Sequence, residues 1–347
     1  MRCGTFFTDY RQDTGLRRWP LERVRLTFFA VAVLTFPFLA TPYLLNLANQ
    51  VAIATVGAIG LNILVGYTGQ ISLGQGAFLA VGAYSAGIFT AQLGIPFWAS
   101  IPAAALLTAA VGLFFGLPSL RLKGLYLAIA TLAAQQIVEW TITHWTALTG
   151  GTEALVVPAP ELFGYRMNRD LPFYFIAVAC AAGTALVTAN LFRSRVGRAW
   201  VAIRDQDIAA SAIGVDVFRY KLIAFGASSF FVGLAGALIA HYRTIVTWER
   251  FTIETSILYL AMIIIGGLGT ISGSFFGATL IVLLPALINT VGRSLQGSAP
   301  EIAAILPAIQ QGVFGLIIIL FLILEPEGLA RLWRNVKDTF RLWPFSY

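Results

Sequence analysis

RSRVGRAWVAIRDQDIAASAIGVDVFRYK, residues 193–221, is the only long, charge-dense segment in the interior of an otherwise apolar chain. Apolar runs of membrane-spanning length flank it at 172–192 and 222–242, so the runs lie in hydrocarbon and the segment lies outside it. Within the segment a short helix is expected. Asp205 stands at the N-cap position and Asp207 in the first turn, where the positive end of the helix dipole favours a carboxylate. Ile208, Ala209, Ala212 and Ile213 follow at helical spacing beside Ala210, and Gly214 supplies the stop. Residues 206–213 make about two turns, whereas an isolated helix is marginal even at roughly 12–15 residues. The small apolar face therefore needs a groove, either in a partner protein or against the ends of the chain's own membrane helices.

The rest of the composition agrees with a membrane setting. Hydrophobic residues make up 58% of the 347 and charged residues 11%, against about 25% charged in soluble domains. The expected fold is all-α and polytopic, with about ten transmembrane helices (8–10). The spans are read at 26–48, 51–68, 72–93, 96–117, 124–143, 172–192, 222–242, 255–268, 273–291 and 303–324. Those at 51–68 and 255–268 are short against the roughly 17–25 residues of a full crossing. This path leaves 18 of the 23 lysines and arginines on one side, which the positive-inside rule makes the cytoplasmic side. Both termini then face the cytoplasm. Residues 1–25 form one tail, 26–324 the membrane domain with the loop 193–221, and 325–347 a second tail. The net charge of +7 is read as membrane orientation, not as affinity for nucleic acid. Cys3 and Cys180 are expected as free thiols. With only two histidines, His144 and His241, no metal set and no cofactor are expected. The long outer loop at 144–171 would offer a docking surface.

GYTGQISLGQG, residues 66–76, cannot make a good lipid-facing helix. Irregular backbone at bilayer depth is tolerated only where protein or a water-filled cavity surrounds it. Gly69, Gln70, Ser72, Gln75 and Gly76 are therefore candidates for a bend lining a translocation route. The alternative is tight helix packing along Ser72, Gly76 and Ala80. Thr131, Gln135 and Glu139 fall four residues apart on one face of the next-but-one span, and Gln310 and Gln311 follow Pro307 in the last. Each is either a pathway group or an interhelical hydrogen bond. Gly66, Gly69, Ile71 and Ser72 recur as Gly266, Gly269, Ile271 and Ser272 at a constant offset of 200, an echo of the internal repeats of transporter folds. The chain has no G-x-x-x-x-G-K-[ST] and no mid-bilayer charge relay, so uphill transport would draw its energy from another protein through the loop. Catalytic residues are not expected. Opposed to this stands an ion-coupled secondary transporter.

These residues resemble a known family. GLNILVGYTGQISLGQGAFLAVGAYSAG (60–87), RLKGLYLAIATLA (121–133), the 193–221 loop with AFGASSFFVGLAGAL after it, GGLGTISGSFFGA (266–278) and EPEGL (325–329) look like the LivM-type permease of branched-chain amino acid ABC transporters. The resemblance runs from about residue 50 to residue 329. It implies a subunit of a bacterial inner-membrane importer, set in membrane lipid, that pairs with a second, related permease. Two cytoplasmic ABC ATPases and a periplasmic solute-binding protein would complete it. The loop would then be the coupling segment, similar to the E-A-A-x-x-x-G pattern: Ala209, Ala210 and Gly214 match, while Ile208 takes the glutamate position beside Asp207. Relatives that look alike carry urea, short amides or other small acids.

Overall fold

The first turn among the described residues is set by a Thr-Pro pair. In the computed structural model α1 (Pro20–Leu39) ends before Thr41, and α2 (Pro42–Asn62) begins there. The Thr41 hydroxyl accepts from the Leu44 N–H at 3.4 Å, and Pro42 occupies the first turn, where its missing donor costs nothing. The boundary expected at 48–51 is thus displaced. Asn49 and Gln50 do not break the helix because both find partners inside the bundle, Asn49 on the Asp170 carbonyl at 2.9 Å and Gln50 on Asn46. Nor is 51–68 a separate span: α2 runs on into a π turn, Ile63–Tyr67.

The structure describes residues 20–119, 122, 124–162, 165–166, 170–296, 302–325 and 327–342. Residues 1–19, with Cys3, and Arg121, Lys123 and Arg169 lie outside the described residues. After α2 come α3 (Gln75–Ala91), α4 (Phe97–Ser119), α5 (Leu125–His144), the single turn α6 (Thr146–Thr149) and α7 (Asp170–Arg193). Then follow α8 (Arg195–Asp205), α9 (Asp207–Ala212), α10 (Val217–Arg243), α11 (Ile253–Gly266), α12 (Ile271–Gln296), α13 (Ile302–Leu324) and α14 (Leu329–Leu342). Four two-residue strands sit between helices. β1 (Leu155–Val156) pairs antiparallel with β4 (Ile245–Val246), and β2 (Glu161–Leu162) with β3 (Tyr165–Arg166).

Among the described residues six helical stretches are long and apolar enough to cross a membrane: Pro42–Tyr67, Phe97–Pro118, Leu125–His144, Asp170–Arg193, Val217–Arg243 and Ile271–Thr290. The chain is a multi-pass, all-α membrane protein. Two of the ten expected spans are carried by shorter helices. α3 has 17 residues and α11 has 14, and each adjoins an irregular turn, at 69–74 and 267–270. Within α1, of 20 residues, and α13, of 23, the described residues include the apolar stretches Thr27–Leu39 and Ala308–Phe321.

Burial separates the helices. The α2 span is 83% buried within the chain, whereas the α7 span is 17% buried. α2, α3 and α10 form the centre, with Val56, Ala58, Leu61, Ala83 and Leu238 sealed inside. α3 and α10 meet backbone to backbone, since a Cβ on Gly82 would collide with the Gly233 backbone. Small residues at such a crossing let dispersion replace a hydrophobic force that lipid does not supply. The tail at 325–347 contains α14, which was not foreseen. Its Ala330 is buried and its Trp333 ring lies 5.9 Å from that of Phe276 on α12, while Arg331, Arg334 and Lys337 stay exposed.

Candidate functional site

The π turn places Gly66 at the end of α2, and the chain then crosses residues 69–74 without regular structure before α3. Backbone of that kind inside a bundle must find hydrogen bonds from its neighbours. It does. The Leu73 N–H donates to the Thr131 hydroxyl of α5 at 2.9 Å, and the Gly76 N–H donates to Ser256 Oγ of α11 at 2.7 Å. Gln135 of α5 closes the knot: its Oε1 accepts from the Ala77 N–H, and its Nε2 donates to the Phe251 carbonyl at 2.6 Å. From the other side Gln75 Nε2 reaches the Gly57 carbonyl of α2 at 3.1 Å. Gln70, Ser72, Gln75, Thr131 and Gln135 are each at most 3% exposed. Of the ten candidate pathway residues, Gln75, Gly76, Thr131 and Gln135 are tied into one polar knot, while Gln70 and Ser72 are buried in the same turn with side-chain bonds only inside it and Gly69 lies exposed beside Arg204.

The other three lie elsewhere. Glu139, one turn beyond Gln135, is half-buried and outside the knot. Gln310 donates to Asn289 Oδ1 at 2.9 Å, tying α13 to α12, and Gln311 is exposed. Shared helical spacing put Glu139 on the right face of α5 but too far along its axis. The packing ridge through Ser72, Gly76 and Ala80 is also shortened, because Ser72 precedes the helix; Gly76 nevertheless packs closely, and a Cβ there would stand 2.7 Å from the Phe251 carbonyl.

The charged segment 193–221 contains two helices rather than one. α8 starts at Ser194, whose hydroxyl accepts from the Val196 N–H at 3.1 Å, and it buries Ala199, Trp200 and Ile203. The signal for it was present in the sequence, since Val196, Ala199, Trp200 and Ile203 lie at helical spacing. Trp200 Nε1 donates to the Tyr220 carbonyl at 2.8 Å, fixing α8 to α10. This longer helix corrects the expected cap. Asp205 is the last residue of α8, and the extended residue before α9 is Gln206, with φ −160° and no side-chain capping bond. Asp207 does fall in the first turn of α9, 3.8 Å from the Lys221 ammonium. Ala210 is buried, Ala209 is exposed, and Ile208 and Ile213 are 69% and 77% exposed. Gly214 ends the helix at φ +88°, as its residue type predicts. A short helix anchored at one end thus presents two bare isoleucines.

Arg204, near the end of α8, was not singled out by its sequence. Its Nη1 donates to the Gly66 carbonyl at 2.6 Å. It also touches both copies of the 200-residue echo: a Cβ on Gly69 would meet the Arg204 Cγ at 3.5 Å, and one on Gly269 would meet its Nη1 at 2.8 Å. Both glycines hold a left-handed backbone, φ +67° and +71°. The two turns are tied directly as well. Asn62 accepts from the Gly269 N–H at 2.9 Å and donates to the Thr270 carbonyl at 2.9 Å and to Ser274 Oγ at 2.8 Å. EPEGL closes on the second turn, with Gly328 so near that a Cβ would lie 2.6 Å from the Gly267 nitrogen. Arg204 of the charged loop therefore meets two of the other motifs, and EPEGL joins them through Gly267.

Beside that arginine lies an open polar cleft of about 270 Å³, bounded by Gln70, Gly124, Leu127, Arg204, Asp207 and Lys221 among others. Gln70 Oε1 is buried without a hydrogen-bond partner. Among the described residues no group of three His, Cys, Asp or Glu side chains could hold a metal ion.

Known proteins give this geometry its family. The profile of the family described as "Branched-chain amino acid transport system / permease component" matches residues 43–322. The high-affinity branched-chain amino acid transport system permease protein LivM of Salmonella typhimurium is 31% identical, covering 90% of this chain and 76% of its own. A probable LivH permease of Methanocaldococcus jannaschii is 28% identical over 81% of this chain and 89% of its own. The ribose import permease protein RbsC of Haemophilus influenzae is 24% identical over 76% and 82% respectively. No solved structure matches the chain. With a profile that spans most of its length and LivM relatives above 30% identity, the chain belongs to the branched-chain amino acid transport permease family.

Proposed function

We propose that this chain is the LivM-type permease subunit of an ATP-binding cassette importer, moving branched-chain or related hydrophobic amino acids across a bacterial inner membrane. It pairs with a second, LivH-type permease, draws energy from two cytoplasmic ATPase subunits and receives solute from a periplasmic binding protein. Both termini and the α8–α9 segment face the cytoplasm. The observation that carries this reading is the contact of Arg204 with the Gly66 carbonyl. It joins a loop that offers bare apolar side chains to the one irregular crossing among the central helices.

The mechanism follows from rigidity. α9 is too short to hold itself up in water, and Ile208 and Ile213 supply the apolar face that a groove on an ATPase would take, in the helix-in-groove mode. Trp200 makes α8 a stiff extension of α10. Movement of α9 is then passed through Arg204 to both glycine turns, and the polar knot around Gln135 opens or closes with them. Relatives named for ribose match over most of the chain, so the scaffold tolerates unlike solutes and the binding protein sets much of the selectivity. Urea or short amides are the alternative cargo.

Affinity purification of the tagged chain in mild detergent tests the assembly. Recovery of ATPase subunits and a second permease is expected; recovery of the chain alone, active in liposomes without ATP, would favour an ion-coupled carrier. Coupling is tested by Arg204→Ala in the assembled transporter. Loss of a charge-assisted bond at that joint is expected to lower uptake per ATP hydrolysed by about tenfold or more, and an unchanged ratio would remove Arg204 from the path.

A further inference from the structure

α10 is 27 residues long, roughly 40 Å at 1.5 Å per residue. The polar cleft lies at its first end. A second cavity, of about 200 Å³, lies at the other. Its inner wall is apolar and sealed: Ile53, Leu79, Met262 and the Tyr259 ring are each at most 6% exposed. Its mouth carries Arg243 and Arg250, both exposed. Among the described residues neither guanidinium has a carboxylate within ion-pair distance. Arg243 lies 5.9 Å from the Tyr242 ring, and Asp170, the acid nearby, is engaged by the Tyr242 hydroxyl at 2.8 Å. No acidic side chain lines the cavity.

Two unpaired guanidinium groups over an apolar hollow call for an anion with an apolar body. Arginine forks match carboxylates in a bidentate way, and the hollow is smaller than the roughly 300–1,000 Å³ of drug-sized sites. We propose that this cavity is a solute site in the permease itself. It holds a small carboxylate at Arg243 and Arg250 and a short branched aliphatic chain against Ile53, Leu79 and Met262. The inference deepens the reading of the chain as an amino-acid permease and rests on it. With no acid in the lining, the site reads the carboxylate and the chain and makes no ionic demand for an ammonium group. The floor also leads inward, because Tyr259 packs on Gly57, whose carbonyl holds Gln75 of the polar knot.

The test is equilibrium binding of radiolabelled leucine to the purified, assembled transporter without its binding protein. Saturable binding is expected, weakened about tenfold or more by Arg243→Gln or Arg250→Gln and partly restored by lysine at either position. The deaminated analogue 4-methyl-2-oxopentanoate should displace leucine, whereas isoamylamine, which keeps the chain and lacks the carboxylate, should not. No saturable binding, displacement by the amine alone, or variants that bind like the wild type would overturn the site. So would variants that lose uptake yet bind leucine normally, since the arginines would then serve contact with the binding protein. ATP-driven leucine uptake by the complete wild-type system is measured alongside: its absence sinks the permease reading, and its presence with failed binding sinks only the site.

Discussion

The two glycine turns share a spacing and differ in everything around it. The first, at 66–76, leaves six residues outside helical structure and gathers its hydrogen bonds from α5 and α11, through Thr131 and Ser256. The second, at 266–272, needs only residues 267–270 to reverse the chain. It is held by Asn62 of α2 and its own Thr270, and roofed by the turn at Gly328. The first is a polar joint spread across four helices; the second is a compact hinge clamped against it. An identical pattern of glycines therefore fixes where the backbone turns, while the neighbours decide what the turn does.

The comparison can be broken most forcefully at Asn62. Asn62→Leu leaves the Gly269 N–H unpaired and takes a bond from the Thr270 carbonyl and from Ser274, which keep only their long bonds to each other at 3.2 and 3.5 Å, and buried polar groups left unpaired cost about 1–3 kcal/mol each. A loss on the order of 3 kcal/mol or more is expected in thermal unfolding in detergent, and an unchanged midpoint would mean that the second turn holds itself. Gln135→Leu should come next, at about 2–4 kcal/mol, because it strands the Ala77 N–H and the Phe251 carbonyl. If water replaced both bonds without loss of stability, the first turn would not depend on α5.

The glycines themselves sharpen the contrast. Both Gly69 and Gly269 hold positive φ, a conformation that costs about 1–2 kcal/mol for an L residue. Only at Gly269 would a Cβ also crowd the Arg204 guanidinium. Gly269→Ala is therefore expected to destabilise by more than Gly69→Ala, about 2–3 against about 1–2 kcal/mol; equal losses would show that Arg204 yields easily. The smallest stability effect belongs to Ile208→Ser. That side chain is 69% exposed, so stability should stay within about 0.5 kcal/mol while co-purification with the ATPase falls. Full retention of the ATPase would place the docking surface elsewhere.

Much of this was legible along the chain. The irregular 66–76 stretch announced a buried joint because glycines and glutamines have no place facing lipid, and Thr131 and Gln135 of α5 do bond to it. The glycine at 214 announced the end of α9 for a purely local reason, its tolerance of positive φ. Asp205 misled because capping depends on where the preceding helix stops, and α8, held to α10 by Trp200, runs through Asp205 itself. Glu139 misled because a shared face says nothing about depth along the axis. Arg204 gave no sign, since one arginine among five in a charged loop differs from the others only by what it reaches.

By itself, then, the sequence determined the membrane class, the positions of most helices, the two glycine turns and the existence of a polar segment between spans. These follow from hydropathy, periodicity and backbone preference, which act over a few neighbouring residues. Only the tertiary structure decided that the turns 200 residues apart touch, that EPEGL seals one of them, and that Arg204 joins the loop to both. Only the fold, too, places Arg243 and Arg250 over an apolar hollow. Such contacts depend on helices packing at particular depths and angles, and no local rule encodes that.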